Sequence, residues 1–246
     1  FAQLAATNPP SGVRGKGLVL VHGGGKLATR LAEKMGVEQQ MVDGRRITDA
    51  ETLKIVTMVY AGYINKNIVA QLQANGCNAI GLSGADGNTI LAHKRISKNN
   101  IDYGFAGDID AVNATLLTQL LEQGMTVVLA PITHNGKGQL LNTNADTIAQ
   151  ETAKALSNHY DVSLIYSFEK SGVLLDANDD TTVIPEINPA SYEQLKKEQK
   201  IFAGMIPKLD NAFAALNSGV KKVIIGKAEA LRSLLDGRSG TTIINE

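Results

Sequence analysis

Short runs of β-branched and aliphatic residues alternate along this chain with stretches whose apolar residues recur at helical spacing. The runs are nearly continuous in apolar residues, as expected of strands covered on both faces. The predicted strands are 18–22, 79–83, 126–131, 162–167, 222–225 and 241–244. The predicted helices are 26–35, 49–73, 111–123, 147–157, 191–200, 209–217 and 228–235. This alternation predicts an α/β fold with a mainly parallel sheet.

The ends of several predicted helices carry specific signals. Glycines suited to a left-handed backbone stand just past four of them, at Gly36, Gly76, Gly124 and Gly219. Residues 48–51, Thr-Asp-Ala-Glu, read as a capping box at the start of the second helix. Asn188 followed by Pro189 predicts another start. Residues 90–95 and 102–108 interrupt the alternation and predict a hairpin beside the main sheet.

Chain length and composition exclude several classes of protein. At about 150 residues per domain, 246 residues predict one large domain or two lobes, which we divide at 1–157 and 158–246. Lys plus Arg and Asp plus Glu both number 24, which argues against a general nucleic-acid binder or an anionic-membrane binder. No run approaches the roughly 18 apolar residues of a membrane span. The first residues lack a signal-peptide pattern, so we expect a cytoplasmic protein.

Metal and nucleophile motifs are also absent from the sequence. A single cysteine, Cys77, leaves no intrachain disulfide and no cysteine cluster for a metal. The four histidines show no metal-site spacing, and no Gly-x-Ser-x-Gly or Cys/His pattern occurs. We therefore assign no metal-binding residue.

Three consecutive glycines follow the first predicted strand. Gly23, Gly24 and Gly25 lead directly into a helix, so their backbone N–H groups can approach an anion that the helix N-terminus also favours. No Gly-Lys pair in the chain is followed by Ser or Thr, which argues against a Walker P-loop.

A dinucleotide-binding reading of the same turn stays open on local grounds. Gly23-x-Gly25-x-x-Ala28 fits the variant fingerprint, and Asp43 lies near the expected acidic position. On this reading the ligand would be NAD and the protein an oxidoreductase. The spacing alone is weakly specific.

Polar residues further along the chain are candidates for binding the rest of a substrate. Asn142, Asn144 and Asp146 are two apart, so an extended chain points them the same way. Asp146 is predicted at a helix N-cap, where a carboxylate stays ionised and can orient a lysine ammonium. Arg46 can clamp a carboxylate through two hydrogen bonds. Lys208 falls in the first turn of a late helix, where the helix dipole disfavours a cation unless an anion is bound.

These pieces, in this order, resemble the amino-acid kinase family from about residue 18 to the end. The segments that carry the resemblance are 21–25 (Val-His-Gly-Gly-Gly), 44–49 (Gly-Arg-Arg-Ile-Thr-Asp), 65–66 (Asn-Lys), 81–87 (Gly-Leu-Ser-Gly-Ala-Asp-Gly), 141–146 (Leu-Asn-Thr-Asn-Ala-Asp) and 204–208 (Gly-Met-Ile-Pro-Lys). Together they make the oxidoreductase a remote alternative.

The resemblance implies a three-layer α/β/α sandwich around a mainly parallel sheet. It implies that lobe 1–157 binds an N-acyl-L-glutamate, that lobe 158–246 binds ATP with Mg²⁺, and that the protein is a homodimer. The γ-phosphoryl group would pass to the side-chain carboxylate and give an acyl phosphate, a step of arginine biosynthesis.

The resemblance also gives roles to single residues. Gly24 and Gly25 would offer amides to the transferring phosphoryl group and the attacking carboxylate, and Arg46 and Asn142 would hold the α-carboxylate end of the substrate. Asp146 would orient the catalytic lysines.

On the nucleotide side, Lys208 would neutralise charge at the phosphoryl group. Ser167, Gly204 and Met205 would lie near the nucleotide.

Two departures from the family pattern bear on these expectations. The family begins with a strand ending in Lys-x-Gly-Gly, which is not found before Leu18, so we expect about 20–30 residues ahead of Phe1. Residues 167–173 read Ser-Phe-Glu-Lys-Ser-Gly-Val where the family has Asp-Val-x-Gly-Val, so adenine contacts are not assigned there.

Several alternatives share the family scaffold. The acyl group of the substrate could be acetyl or succinyl, and the protein could instead be a non-catalytic amino-acid sensor. Other members would phosphorylate carbamate, aspartate or a nucleotide, whereas Arg46 with Asn142 favours an amino-acid carboxylate.

Overall fold

The computed structural model describes residues 17–42, 45–96, 101–176, 178–201 and 205–245. Three predictions concern residues outside these ranges: those for Asp43, for Gly204 and for the strand expected ahead of Leu18. The chain divides into two compact units, one extending to Ile148 and the other beginning at Ala149. The sequence-based division placed the first residue of the second lobe at 158.

The first unit contains strands and helices in alternation. Its strands are β1 (Val19–Val21), β2 (Met41–Val42), β3 (Arg45–Arg46), β4 (Ala79–Leu82), β5 (Ile90–Lys94), β6 (Gly107–Val112), β7 (Thr126–Leu129), β8 (Ile132–His134) and β9 (Leu140–Asn142). Its helices are α1 (Gly25–Lys34), α2 (Ala50–Thr57), α3 (Asn65–Ala74) and α4 (Ala114–Glu122), and α5 (Ala145–Ser157) begins here and ends in the second unit.

A three-stranded parallel sheet, in the order β1-β7-β4, organises this unit. The central strand β7 is buried along its whole length. Val128 packs with Leu72 and Cys77 on the side of α3, while α4 also packs against β7. Because the three strands are parallel, their carboxyl ends, and the turns that follow them, share one edge of the sheet.

Two further sheets accompany it. Strands β5 and β6 pair antiparallel within a four-stranded sheet of order β6-β5-β8-β9, which confirms the predicted hairpin. Strands β2 and β3 form a short antiparallel pair that brings Met41 opposite Arg46.

The helix predicted over 49–73 is continuous from Ala50 to Ala74, but its middle, Met58–Ile64, is a π-helix. Buried side chains of the continuous helix, among them Ile55 and Tyr60, pack with Ala28 and Ala32 of α1. A π-helix widens the turn, and such segments occur frequently at functional sites.

The second unit contains β10 (Ser163–Phe168), β11 (Glu186–Ile187), β12 (Lys222–Lys227) and β13 (Thr241–Ile243), with α6 (Pro189–Lys197), α7 (Ile206–Asn217) and α8 (Leu231–Leu235). Its sheet has the order β10-β12-β13-β11 and is mixed: β10 runs parallel to β12, and β12 runs antiparallel to β13. Aliphatic residues of β12 and apolar residues of α7 form its core.

Most of the predicted elements are confirmed, in a mixed α/β architecture whose β1-β7-β4 sheet is wholly parallel. The six predicted strands are present. The four glycines expected after helices have positive φ: 72° at Gly36, 74° at Gly76, 73° at Gly124 and 98° at Gly219. None of the helices in the described ranges has the length and apolarity that a membrane crossing requires.

Three local predictions were wrong. Residue Asp49, not Thr48, caps α2, because its carboxylate accepts a hydrogen bond from the Thr52 N–H at 2.7 Å, whereas Thr48 is buried. The helix predicted from residue 111 begins at Ala114, since β6 continues to Val112.

The third correction concerns the start of α5. The Asn144 side chain accepts a hydrogen bond from the Thr147 N–H at 3.0 Å, so Asn144 takes the capping position that was predicted for Asp146. Asp146 lies in the first turn of the helix instead.

Candidate active site

The triple-glycine turn connects β1 to α1 at the carboxyl edge of the parallel sheet. Gly24 has φ 166° and ψ 7°, and a Cβ placed there would lie 2.5 Å from Ile64 Cδ1 and 2.7 Å from Tyr60 Cδ1. Packing against the π-helix therefore requires glycine at this position. A Cβ on Gly23 would meet no atom within 4 Å, and one on Gly25 would meet only Arg46 Nη2, at 3.8 Å. Packing within the protein therefore does not require glycine at these two positions. This is expected if glycine is needed there to let a ligand approach the backbone.

A cleft of about 230 Å³ opens beside this turn, within the first unit. It is lined by the turn, the β2–β3 pair, the π-helix and the segment that follows β9, and its lining residues are Gly23, Gly24, Gly25, Met41, Arg45, Arg46, Tyr60, Arg95, Tyr103, Ala106, Gly107, Pro131, Asn142, Thr143, Asn144 and Ala145. The structure thus brings together four predicted site residues, Gly24, Gly25, Arg46 and Asn142.

Arg46 is buried at the back of the turn, with 8% of its surface exposed. Its Nη2 donates hydrogen bonds to the Gly25 carbonyl at 3.1 Å and to Thr29 Oγ1 at 2.9 Å, and its Nη1 donates to Gln39 Oε1. The guanidinium is therefore fixed against α1 before any ligand binds, and its charge lies at the cleft wall. Such preorganisation lowers the entropic cost of holding a carboxylate.

Tyr60 is a cleft residue that the sequence did not reveal, because at helical spacing it reads as one more apolar position. Burial raises the pKa of its hydroxyl, and the neighbouring charge and hydrogen bond of Arg46 oppose that rise. The π-helix holds its ring against Gly24 and its hydroxyl near Arg46, so one side chain packs the glycine turn and contacts the cation.

Asn142 ends β9, and its Nδ2 donates a hydrogen bond to Thr48 Oγ1 at 3.0 Å. The Thr48 hydroxyl donates in turn to the Arg46 carbonyl at 3.2 Å, so this chain of bonds links Asn142 to the strand that carries Arg46. Asn144 also lines the cleft, whereas Asp146 is not among its lining residues.

Arg45 and Arg95 add positive charge to the same cleft, and neither was a predicted site residue. Arg95 pairs with Asp108, and its guanidinium carbon lies 5.6 Å from the centre of the Tyr103 ring. Its Nε is buried and has no hydrogen-bond acceptor among the described residues. Arg95 stands outside every motif in the sequence, whereas Arg45 belongs to the 44–49 segment but had been given no role.

In the second unit, Lys208 is the third residue of α7, as predicted. Its Nζ lies 5.7 Å from the centre of the Tyr166 ring and 5.9 Å from that of Phe168, so two aromatic faces of β10 stabilise the ammonium. Ser167 lies between them in β10, and Met205 immediately precedes α7. Phe168 belongs to the segment that departs from the family motif.

Within the described ranges, no group of three or more His, Cys, Asp or Glu side chains is arranged to hold a metal ion.

Comparison with known proteins places this architecture in context. The chain is 60% identical over 218 residues to an acetylglutamate kinase of Cytophaga hutchinsonii, covering 89% of this chain and 83% of that protein. It is 59% identical over 214 residues to an acetylglutamate kinase of Bacteroides thetaiotaomicron, covering 87% of this chain and 83% of that protein.

A solved structure of a Streptococcus mutans protein superposes with a TM-score of 0.78 at 29% identity, covering 94% of this chain and 87% of the other. The sequence profile of the amino acid kinase family matches residues 11–227. The chain belongs to the amino acid kinase family.

Proposed function

We propose that this protein is an N-acetyl-L-glutamate 5-kinase, which transfers the γ-phosphoryl group of ATP to the side-chain carboxylate and releases ADP. The observation that carries the proposal is the 60% identity, over 218 residues, to a relative named as an acetylglutamate kinase. The product, an acyl phosphate, would serve arginine biosynthesis.

The chemistry suits a cleft of this composition. A carboxylate is already a nucleophile at neutral pH, so the reaction needs no general base. The barrier lies in bringing an anionic nucleophile in line with an anionic phosphoryl group, and fixed amides and cations lower it. The glycine turn and the buried Arg46 are groups of this kind.

On this proposal, the Gly24 and Gly25 N–H groups bind the phosphoryl group and the attacking carboxylate. Arg46 and Asn142 hold the α-carboxylate end of the substrate. Their lining of a single cleft supports these roles, and the fixed position of the Arg46 guanidinium gives the substrate one orientation.

ATP is assigned to the second unit. There, Lys208 would neutralise charge on the transferring group, and Ser167, Gly204 and Met205 would contact the nucleotide. Asp146, in the first turn of α5, would orient lysine ammonium groups. Mg²⁺ fits this arrangement as an ion carried by the ATP phosphates, because the described side chains form no cage of three or more metal-binding groups.

The proposal includes two further properties. The protein is expected to act in the cytoplasm, and it is expected to be a homodimer. Sedimentation velocity of the purified protein at micromolar concentration measures the second directly.

A second acceptor, N-succinyl-L-glutamate, is favoured by one observation. The cleft contains Arg45 and Arg95 in addition to Arg46, and N-succinyl-glutamate carries a third carboxylate that N-acetyl-glutamate lacks. A cation near the acyl group would distinguish the two acceptors through that carboxylate.

The experiment is an ADP-release assay on the full-length protein with MgATP and a panel of acceptors: N-acetyl-L-glutamate, N-succinyl-L-glutamate, L-glutamate, L-aspartate and carbamate. Turnover with an N-acyl-glutamate supports the proposal, and the ratio of kcat/KM for the two acyl acceptors chooses between them. Calorimetric binding of an amino acid without turnover of any acceptor would instead favour a non-catalytic sensor and refute the kinase.

A further inference from the structure

A buried polar network lies beneath the glycine turn and is not used by the proposed chemistry. His22, with 8% of its surface exposed, places Nδ1 2.8 Å from the Gly23 carbonyl oxygen and Nε2 3.3 Å from the side-chain nitrogen of Asn65. Asn65 opens α3 and is completely buried. Asn65 of the Asn65-Lys66 motif is thus linked through His22 to the first glycine of the turn.

The direction of each hydrogen bond in the network follows from its partners. A carbonyl oxygen can only accept a hydrogen bond, so His22 Nδ1 carries the ring proton and donates a hydrogen bond to the Gly23 carbonyl oxygen. Nε2 then has a lone pair, and Asn65 Nδ2 donates to it. Burial lowers the pKa of His22, which keeps the ring neutral as this pattern requires, although its bond to Gly23 acts in the opposite direction.

The orientation of the Asn65 amide is itself fixed by two further hydrogen bonds. Its Nδ2 also donates to the Val128 carbonyl at 3.0 Å, and its Oδ1 accepts from Lys66 Nζ at 3.1 Å. Lys66 Nζ donates to the Gly81 carbonyl at 2.7 Å, and a Cβ on Gly81 would lie only 2.0 Å from Asn65 Oδ1. The amide therefore has one orientation, and a glycine in β4 makes room for it.

We propose that His22 and Asn65 are positioning residues that aim the Gly24 N–H at the anion bound by the glycine turn. The Gly23 carbonyl and the Gly24 N–H belong to one planar trans peptide and point in opposite directions. Fixing the carbonyl through His22 therefore fixes the N–H, at a residue whose other side packs against Tyr60 and Ile64. This inference rests on the proposed function for the identity of the anion.

The first test uses the unmodified protein. Long-range ¹H–¹⁵N NMR of the imidazole reports which ring nitrogen is protonated, and the account expects the neutral Nδ1–H form of His22 at pH 7. A neutral Nε2–H form or a charged ring would overturn the proposal. Because this measurement does not depend on turnover, it stands even if no acceptor is phosphorylated, an outcome that would refute the proposed function alone.

The second test uses His22→Phe and Asn65→Leu, which keep similar volume and remove the hydrogen-bonding atoms. Deleting a preorganised donor in an oxyanion site costs about 10²–10³-fold in kcat, so misdirecting one is expected to lower kcat by about 10–100-fold. The KM for ATP should change by less than about twofold.

Thr126→Val is the matched control, because it removes a different buried hydrogen-bonding group, a β7 hydroxyl that accepts from Cys77 at 3.3 Å. It should lose stability without this loss of kcat. Folded His22→Phe and Asn65→Leu proteins with kcat within twofold of wild type would overturn the proposal. Should either variant fail to fold, the imidazole tautomer of the unmodified protein decides.

Discussion

Alanine substitution along the glycine turn separates a glycine required by packing from one required by a ligand. In Gly24→Ala, the new methyl would lie 2.5 Å from Ile64 Cδ1 and 2.7 Å from Tyr60 Cδ1, so both buried side chains must move. Overpacking of this kind costs about 1–3 kcal/mol. At about 2–4 °C per kcal/mol for a chain of this size, the Tm should fall by about 2–12 °C.

Gly25→Ala should keep its thermal stability but lose activity. Its methyl has only Arg46 Nη2 nearby, at 3.8 Å, and residue 25 is the first of α1. Alanine is the better helix former by up to about 1 kcal/mol, so the Tm should stay constant or rise. The methyl would nevertheless stand where the anion approaches the backbone, and losing such a donor costs about 10²–10³-fold in kcat.

Differential scanning calorimetry and steady-state kinetics on the two variants provide the measurement, with Gly23→Ala as the stability control because its methyl meets no atom within 4 Å. The account expects Gly24→Ala to lose stability and activity and Gly25→Ala to lose activity alone. A Gly25→Ala protein with wild-type kcat/KM would refute the idea that ligand approach explains this glycine. An unchanged Tm in Gly24→Ala would refute the packing argument.

Three further substitutions or conditions test separate parts of the structure. Arg46→Lys cannot reproduce the hydrogen bonds to Gly25, Thr29 and Gln39. The KM for the acyl-glutamate should therefore rise at least about tenfold, while the KM for ATP changes little. Equal KM values for wild type and variant would contradict the role of Arg46 in holding the substrate carboxylate. Asp49→Ala removes the α2 cap and should cost about 1 kcal/mol in urea unfolding, and an unchanged midpoint would contradict that role. Because burial lowers the pKa of His22 below 6.5, the unfolded chain binds a proton more readily than the folded chain does. The free energy of unfolding should therefore fall as the pH drops below 6.5. In His22→Phe this fall should be shallower.

The regular elements of the fold could be predicted from the sequence, because apolar runs, helical spacing and terminal glycines are local signals. The errors occurred where tertiary contacts override such signals. Thr48 fits a capping box, yet the fold buries it as a hydrogen-bond acceptor for Asn142, and Asp49 caps the helix. The π-helix Met58–Ile64 could not be predicted, since its sequence continues the same helical pattern.

The candidate site divides in the same way. Gly24, Gly25, Arg46 and Asn142 were found because glycine runs and motif order are visible in the sequence, and the structure places all four in one cleft. Tyr60 and Arg95 were missed because single buried or charged residues become informative only when distant segments come together. Arg45 lies in the 44–49 motif, but only the cleft shows that it is a lining residue. The roles of all the predicted site residues stay predictions: Gly24, Gly25, Arg46, Asn142, Asp146, Lys208, Ser167, Gly204 and Met205.

The central claim, phosphoryl transfer to a side-chain carboxylate, is tested most directly by identifying the product. The full-length protein, incubated with MgATP, N-acetyl-L-glutamate or N-succinyl-L-glutamate, and hydroxylamine, should yield the hydroxamate at the side-chain carboxyl, seen by tandem mass spectrometry. One hydroxamate should form for each ADP released. Release of ADP without a hydroxamate, or a hydroxamate at the α-carboxyl, would contradict the account.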